Sequence, residues 1–138
     1  DFMKPSTVRE GVKWLPEKNI DVFFVTLNKA DKDYSPTTKY NDYSINERLF
    51  HWQSQSTTAE NSPTGQRYIH HKERGGKVLL FVREFKSDRM TGGAEAYTYL
   101  GTASYVKHEG SRPMNITWRL DRPIPAKFLK KTNKLVVG

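Results

Sequence analysis

The sequence predicts a mainly β protein with a few short helices (α+β), folded as one small curved β-barrel. Short stretches rich in valine, isoleucine, phenylalanine and tryptophan alternate with clusters of glycine, proline, asparagine and serine, which is the pattern of strands separated by turns. A glycine also falls inside one long predicted strand, where it indicates a bulge or bend. Because bent strands favour a curved sheet over a flat sandwich, we expect a barrel.

The first half of the chain is predicted to combine one apolar strand with polar segments. Residues 20–27 have the β-branched and aromatic composition of a strand, and the polar residues 28–42 form a long loop. Ser44 and Glu47 have the spacing of a capping box, which predicts a short helix over 45–50. The other predicted elements of this half are a short helix over 5–15, a polar strand over 51–58, a loop over 59–66 and a strand over 67–71.

The second half is predicted to supply the centre of the sheet. Two glycines make a tight turn into a strand over 77–85, whose continuous apolar residues indicate burial on both faces. A loop over 87–95 leads to a long strand over 96–107, with Gly101 in its middle. This arrangement predicts a long strand that bends at Gly101.

The last predicted strand has the cleanest alternation in the chain. Over 114–120, apolar side chains directed inward alternate with Asn115, Thr117 and Arg119 directed outward. Two prolines end this strand, and residues 126–131 favour one helical turn or two.

The composition limits the functions that the chain can perform. Its 138 residues are enough for one domain with its own hydrophobic core. The absence of cysteine excludes disulfides, zinc ribbons and thiol nucleophiles and is compatible with an intracellular protein. No apolar run has membrane-spanning length. The 23 Lys and Arg against 15 Asp and Glu give a net charge of +8, which favours an anionic partner such as nucleic acid; the alternative is a basic surface that binds nothing.

Residues 49–58 form an unusual polar segment, Leu-Phe-His-Trp-Gln-Ser-Gln-Ser-Thr-Thr. In a strand its side chains would alternate, with Trp52, Ser54 and Ser56 on one face and His51, Gln53, Gln55 and Thr57 on the other. Burying such groups without hydrogen-bond partners costs about 1–3 kcal/mol each, so they face either water or a flat polar ligand. A nucleobase is such a ligand, because it offers a π-face and an edge of donors and acceptors.

Three groups of motifs together resemble a known family. They are Asp33-Tyr-Ser-Pro-Thr-Thr with Tyr40-Asn-Asp-Tyr43 and the segment 49–56, then Ser62-Pro-Thr-Gly-Gln-Arg-Tyr68, then Tyr99-Leu-Gly-Thr-Ala with Gly110-Ser-Arg-Pro-Met114 and Trp118-Arg-Leu. Over about residues 20–135 the chain resembles the C-terminal domain of unknown function found behind a phospholipase-D-type nuclease and a superfamily 2 helicase in SauUSI-type type IV restriction enzymes. The last group also resembles the ending of PUA-like barrels, which include SRA and EVE domains.

The resemblance implies a reader of duplex DNA that carries 5-methylcytosine or 5-hydroxymethylcytosine, built as a PUA/SRA-like barrel. Residues 1–138 would be a single domain from the C-terminus of a larger, cytoplasmic enzyme, and a start at Asp1 rather than methionine agrees with a fragment. Its partners would be the modified duplex and the helicase and nuclease domains of the same polypeptide. By extruding the modified base, the domain would direct an NTP-dependent restriction endonuclease to its target.

We expect the pocket for the extruded base to form around the polar segment. Trp52 offers one stacking face, Tyr40 or Tyr43 closes the second, and Asp42 accepts a hydrogen bond from the exocyclic amine of cytosine. The remaining base edge is held by Gln53, Ser54 and Gln55. The alternative is that Trp52 belongs to the core and that Asp42 only supports the start of the predicted helix.

Clustered cations are expected to grip the DNA backbone. One cluster flanks the predicted glycine turn, a second begins in the last part of the central strand and continues past it, and an amide lies on the loop before them. These residues are Arg67, Lys72, Arg74 and Lys77, then Arg83, Lys86 and Arg89, and finally Gln66, which with Arg67 is predicted to enter a groove. Solvated surface charge is the alternative for each of them.

The sequence contains no constellation that predicts catalysis. It lacks a nucleophile elbow, a nucleotide-binding loop and a carboxylate pair, so we expect a binding module without a cofactor. His51, His70 and His71 lack the spacing of metal ligands, and no metal site is expected. Two other functions stay open, namely a sequence-independent DNA clamp of a helicase and a protein-interaction module that assembles the parent enzyme.

Overall fold

One β-sheet forms the framework of the molecule. The computed structural model describes residues 11–28, 42–86 and 92–129. Its strands and helix, numbered along the chain, are β1 (Gly11–Leu15), β2 (Ile20–Asn28), β3 (Tyr43–Ser44), β4 (Leu49–Gln53), α1 (Pro63–His70), β5 (Lys77–Phe85), β6 (Thr98–Glu109) and β7 (Asn115–Leu120). A single helical turn follows at 126–129. The described protein is therefore mainly β with short helices, which confirms the predicted class.

The strands pair in the order β1-β2-β5-β6-β7-β4-β3. Only β2 and β5 run parallel among these pairs, and the long crossover between them contains β3, β4 and α1. The predicted strands over 20–27, 77–85, 96–107 and 114–120 correspond to β2, β5, β6 and β7. Gly101 has φ +111° beside a register shift between β5 and β6, so the predicted irregularity in this long strand is confirmed.

The sheet is open, and the predicted closed barrel is wrong. A barrel requires its first and last strands to pair, but β1 and β3 stand at opposite edges of the sheet. β3 has two residues and β1 has five, so neither provides the long edge that closure needs. The core instead forms where α1 and the turn at 126–129 cover one face, the inner face of the sheet.

Aromatic side chains dominate this core. Phe23, Trp52 and Tyr68 contact one another and Trp118, with ring centroids 4.1 to 6.5 Å apart. Phe128, on the last helical turn, is buried in the same cluster. Fully burying a side chain of this size contributes about 1.5–3 kcal/mol. The aromatic cluster therefore attaches α1 firmly to β2, β4 and β7.

The segment after β3 turns sharply instead of forming the helix predicted over 45–50. The Asn46 side-chain oxygen accepts hydrogen bonds from the backbone N–H groups of Arg48 and Leu49, both at 2.9 Å. The Ile45 N–H donates to the Leu49 carbonyl at 2.8 Å, which closes a β3–β4 hairpin. The capping-box prediction was wrong because asparagine can hold its own backbone in a turn.

The helix of the described structure lies where a loop and a strand were predicted. Ser62 is the N-cap of α1, its hydroxyl oxygen accepts from the Gly65 N–H at 3.0 Å, and Pro63 occupies the first turn. Serine followed by proline is a known helix-start signal, and it was missed in 59–71. The polar strand predicted over 51–58 ends at Gln53, and the described part of the helix predicted over 5–15 is strand β1.

Several predicted elements lie partly outside the described residues, including most of the loop over 28–42 and part of the loop over 87–95. None of the helices in the described ranges is long and apolar enough to cross a membrane.

Candidate nucleic-acid interface

A row of side chains crosses four strands on the outer face, the face opposite the core. Tyr43 pairs with His51, His51 pairs with Thr117, and Thr117 pairs with Lys107. Directly paired residues share a face, so these four side chains lie on one side of β3, β4, β7 and β6. Tyr43 and His51 stack with their ring centroids 4.7 Å apart and an angle of 16° between the planes. The row therefore combines an aromatic stack with a cation at its other end.

A second row of amides lies beside the first. Gln53 pairs with Asn115, and the Gln53 Nε2 donates to the Asn115 Oδ1 at 3.1 Å. On the other side of the first row, Arg119 pairs with Leu49 and with Ser104. We call this surface the polar face; its members are Tyr43, His51, Gln53, Lys107, Asn115, Thr117 and Arg119.

Lys107 and Arg119 are the exposed cations of the polar face. The other members are half-buried, except Thr117, which is buried at the centre between its neighbours. Glu109, exposed and paired with Asn115, is an acidic residue at its border. The surface can thus offer hydrogen-bond donors, acceptors and a ring on one face of the sheet.

Trp52, the predicted stacking residue, lies on the core side. Its ring is 5% exposed and stacks on Phe23 with centroids 4.1 Å apart and planes 20° apart. The alternation predicted from sequence is correct, because Trp52 and His51 do face opposite sides of β4. The accessible aromatic pair near the end of β4 is therefore Tyr43 with His51, while Trp52 holds the sheet against α1.

Two other predicted pocket residues hold the end of β4 in place. The Asp42 Oδ1 accepts a hydrogen bond from the Gln53 backbone N–H at 2.8 Å, and Asp42 is 5% exposed. The buried Ser54 hydroxyl donates to the Gln55 carbonyl and accepts from the Met114 N–H. These bonds give both residues a structural role at the border of the polar face.

The structure thus brings together most of the predicted pocket residues around the end of β4. They are Asp42, Tyr43, Gln53, Ser54 and Gln55. Gln55 is exposed in the turn that follows the strand. Tyr40 lies outside the described residues.

The predicted backbone contacts divide into exposed and internal groups. Lys72 and Arg74 lie exposed on the turn after α1, and Lys77 is exposed at the start of β5. Lys86 is exposed just after β5, and Arg89 lies outside the described residues. The turn cations remain compatible with phosphate contacts.

Arg67 instead forms an internal ion pair. Its Nε and one terminal nitrogen donate to the two carboxylate oxygens of Asp21 at 2.8 and 2.9 Å, and Asp21 is 1% exposed. Its guanidinium lies 4.0 Å from the centroid of the Trp14 ring. Burial alone would lower the pKa of Arg67, but the hydrogen bonds and charge of Asp21 outweigh it and raise that pKa. The side chain therefore joins α1 to β1 and β2.

Arg83 and Gln66 are also engaged within the protein. The buried Arg83 Nε donates to the Thr26 hydroxyl at 2.8 Å, and its guanidinium lies 4.4 Å from the Tyr97 ring centroid. The Gln66 side-chain amide donates to the Glu60 carbonyl at 2.8 Å. The phosphate contact predicted for Arg83 and the groove contact predicted for Gln66 are therefore not available in this arrangement, because both polar groups bond within the protein.

His71 links the basic turn to β6. Its Nδ1 lies 3.3 Å from the Gly76 carbonyl, and its Nε2 accepts from the Tyr105 backbone N–H at 3.3 Å, beside the register shift between Tyr105 and Lys107. Those partners require a neutral ring protonated at Nδ1. Burial lowers the pKa of His71, which agrees with this state. The turn that carries Lys72 and Arg74 is thereby fixed to the strand that carries Lys107.

Sequence reasoning missed several members of the polar face. Asn115 and Thr117 were recognised only as outward residues, and Lys107 was not singled out. His51 was placed on the same face as Gln53 but was not included in the predicted pocket. The useful signal was their shared alternation, since it placed them on the face opposite the apolar residues. In the described residues no group of three or more His, Asp or Glu side chains is arranged to hold a metal ion.

Comparison with protein families places the chain in one of them. Residues 3–131 match the family model named Domain of unknown function (DUF3427), and this match covers nearly the whole chain. The chain therefore belongs to the DUF3427 family. No curated protein matches the sequence.

Proposed function

We propose that this domain binds duplex DNA containing a modified cytosine, 5-methylcytosine or 5-hydroxymethylcytosine, and holds the extruded base at the polar face. The observation that supports this proposal is the Tyr43–His51 stack beside the Gln53–Asn115 amide pair, on strands whose other face is core. The modification itself is inferred from the resemblance of the sequence motifs. The association with SauUSI-type enzymes and the relation to PUA-like readers belong to the same proposal.

Stacking and edge recognition have separate residues in this proposal. The base stacks on Tyr43, whose ring is half-buried and already supported by His51. The Gln53–Asn115 bond uses one donor and one acceptor, so the Gln53 carbonyl and the Asn115 amino group remain to pair with the base edge. Trp52 contributes indirectly, by fixing β4 against the core.

Exposed cations supply the part of the affinity that is independent of sequence. Lys107 and Arg119 lie on the polar face itself, and Lys72 and Arg74 lie on the turn that His71 fixes to β6. Neutralising phosphates releases counterions, so the affinity falls steeply as salt rises. With a net charge of +8, the domain is suited to an anionic polymer.

The deciding experiment is a titration of the domain with matched duplexes that differ only in cytosine modification. Preference for the modified duplex supports the proposal. Equal binding indicates a sequence-independent clamp, and no binding indicates a protein-interaction module of the parent enzyme.

Variants of Tyr43 test where the base is held. Tyr43→Leu removes the ring, and since one base–aromatic stack contributes about 1–3 kcal/mol, the affinity for modified duplex should fall about 5- to 150-fold. Tyr43→Phe keeps the ring and serves as the matched control. A Tyr43→Leu variant that keeps its preference for modified DNA would exclude Tyr43 as the stacking residue.

Variants of the turn cations test the backbone contact. Lys72→Gln with Arg74→Gln should lower the affinity for modified and unmodified duplex equally. It should also reduce the slope of log affinity against log salt concentration by about two, because two phosphate contacts are lost. A loss restricted to modified DNA would mean that the turn contacts the base instead.

A further inference from the structure

Two loops at one end of the sheet form a braced projection that the polar face does not include. We call it the tip; it consists of residues 54–60, after β4, and 110–113, between β6 and β7. The Arg112 N–H donates to the Thr58 carbonyl at 2.8 Å, and the Glu60 N–H donates to the Ser111 hydroxyl at 3.0 Å. The tip directly continues the strands that carry Gln53 and Asn115, so it borders the polar face.

A chain of side chains braces the tip from the core side. The Tyr105 hydroxyl lies 2.7 Å from the His108 Nδ1, and the His108 Nε2 lies 3.1 Å from a Glu60 carboxylate oxygen. Burial, together with the negative charge of Glu60, raises the pKa of Tyr105, so the phenol stays protonated and can donate to His108. The two loops are therefore held as one unit.

Arg112 is the exceptional residue of the tip. Its φ is +58°, a left-handed backbone conformation that residues other than glycine, asparagine and aspartate seldom adopt. Within the described residues one other non-glycine residue, Asn19, has a positive φ, also +58°. Asparagine tolerates this conformation, and the Asn19 side chain donates to the Arg74 carbonyl, so local structure explains its residue type.

No comparable local reason accounts for arginine at position 112. Its side chain is exposed and forms no hydrogen bond or ion pair within the described residues. Glycine would satisfy the backbone better, so the side chain itself is the reason to expect a function. The exposed neighbours Gln55, Ser56 and Thr57 add hydrogen-bonding groups around it.

We propose that the tip enters a groove of duplex DNA and that Arg112 contacts the edge of a guanine next to the bound base. This inference rests on the proposed function. The planar guanidinium can donate two hydrogen bonds to guanine O6 and N7, which is the commonest specific contact in the major groove. Bracing at both loops holds the backbone from which the guanidinium extends, which positions the side chain for recognition of one base edge.

The test measures affinity by fluorescence anisotropy for a panel of modified duplexes in which the flanking base pairs are varied. Arg112→Gly and Arg112→Asn both suit a positive φ, so each should keep or raise the melting temperature of the wild type. Both should bind the preferred duplex at least 10-fold more weakly and lose the preference for a flanking guanine. Lys13→Thr, which removes one exposed cation from the distant edge strand β1, is the matched control and should retain that preference.

Replacing the flanking guanine by 7-deazaguanine removes N7 but keeps base pairing. The wild type should then lose affinity, and the Arg112→Gly variant should lose none. Uniform weakening on every duplex would indicate a phosphate contact and overturn the inference, as would unchanged binding of a folded variant. If the wild type binds no duplex, or shows no preference for the modified duplex, the proposed function is overturned. If the wild type prefers the modified duplex and the Arg112 variants bind it equally well, only the role of Arg112 is overturned.

Discussion

The Asp21–Arg67 pair yields a quantitative prediction about stability. Arg67→Met keeps an apolar stem against Trp14 but leaves the carboxylate of Asp21, which is 1% exposed, without its bidentate partner. Breaking a buried ion pair by removing one partner costs about 3–5 kcal/mol. Because the Arg67 side chain is 17% exposed and water can reach part of the site, we expect about 3 kcal/mol. For a domain of this size, that loss lowers the melting temperature by about 10 °C.

The double variant Asp21→Leu with Arg67→Met provides the control. It removes both charges, so it should be more stable than Arg67→Met alone. Thermal unfolding followed by circular dichroism measures both effects, and DNA titration well below the melting temperature measures function. A single variant as stable as the wild type but deficient in DNA binding would refute this reasoning and return Arg67 to the set of phosphate contacts.

Three further outcomes can be measured on the same protein. Burial lowers the pKa of His71 in the folded state, so below about pH 6.5 the unfolded chain binds a proton that the folded protein does not. The free energy of unfolding should therefore fall as the pH drops from about 6.5 towards the lowered pKa. Denaturant titrations at several pH values measure this fall, and His71→Gln should remove it. Trp52→Ala should destabilise the fold by about 3–5 kcal/mol, whereas a folded Trp52→Phe variant should keep the preference for modified DNA; loss of that preference alone would contradict the core position. Gly101→Ala places a Cβ 2.6 Å from Asp121 Oδ1 at φ +111° and should lower the melting temperature, and a melting curve that coincides with wild type would show that β6 adapts at no cost.

The alternation of side chains was predictable from sequence because it depends only on neighbouring residues. The outward positions of Asn115, Thr117 and Arg119 and the opposite directions of His51 and Trp52 follow from the two-residue period of a strand. Which element packs against a given face depends on residues far away in the sequence, so it could not be predicted in the same way. Trp52 is buried because α1 packs against its face of the sheet. This helix was not predicted because its start at Ser62-Pro63 was interpreted as a turn.

The roles of the cations needed the tertiary structure. Arg67 and Arg74 are equally basic in the sequence, but Arg67 meets a carboxylate 46 residues away, while Arg74 lies on an exposed turn. Arg83 likewise meets Thr26 across the parallel pair of β2 and β5. The prediction of a closed barrel was wrong for a related reason. The irregularity at Gly101 could be predicted from the sequence, but which strands form the edges of the sheet could not.

The parallel pairing of β2 with β5 also determines when the domain can fold during synthesis. Ile20 pairs with Lys77, so β2 cannot pair with β5 until β3, β4 and α1 have been synthesised. Until then β2 has only the five-residue strand β1 beside it, and a two-stranded hairpin is marginally stable in water. An emerging chain would expose Phe23 and Val25 over this interval, which makes β2 the segment that chaperones should engage first.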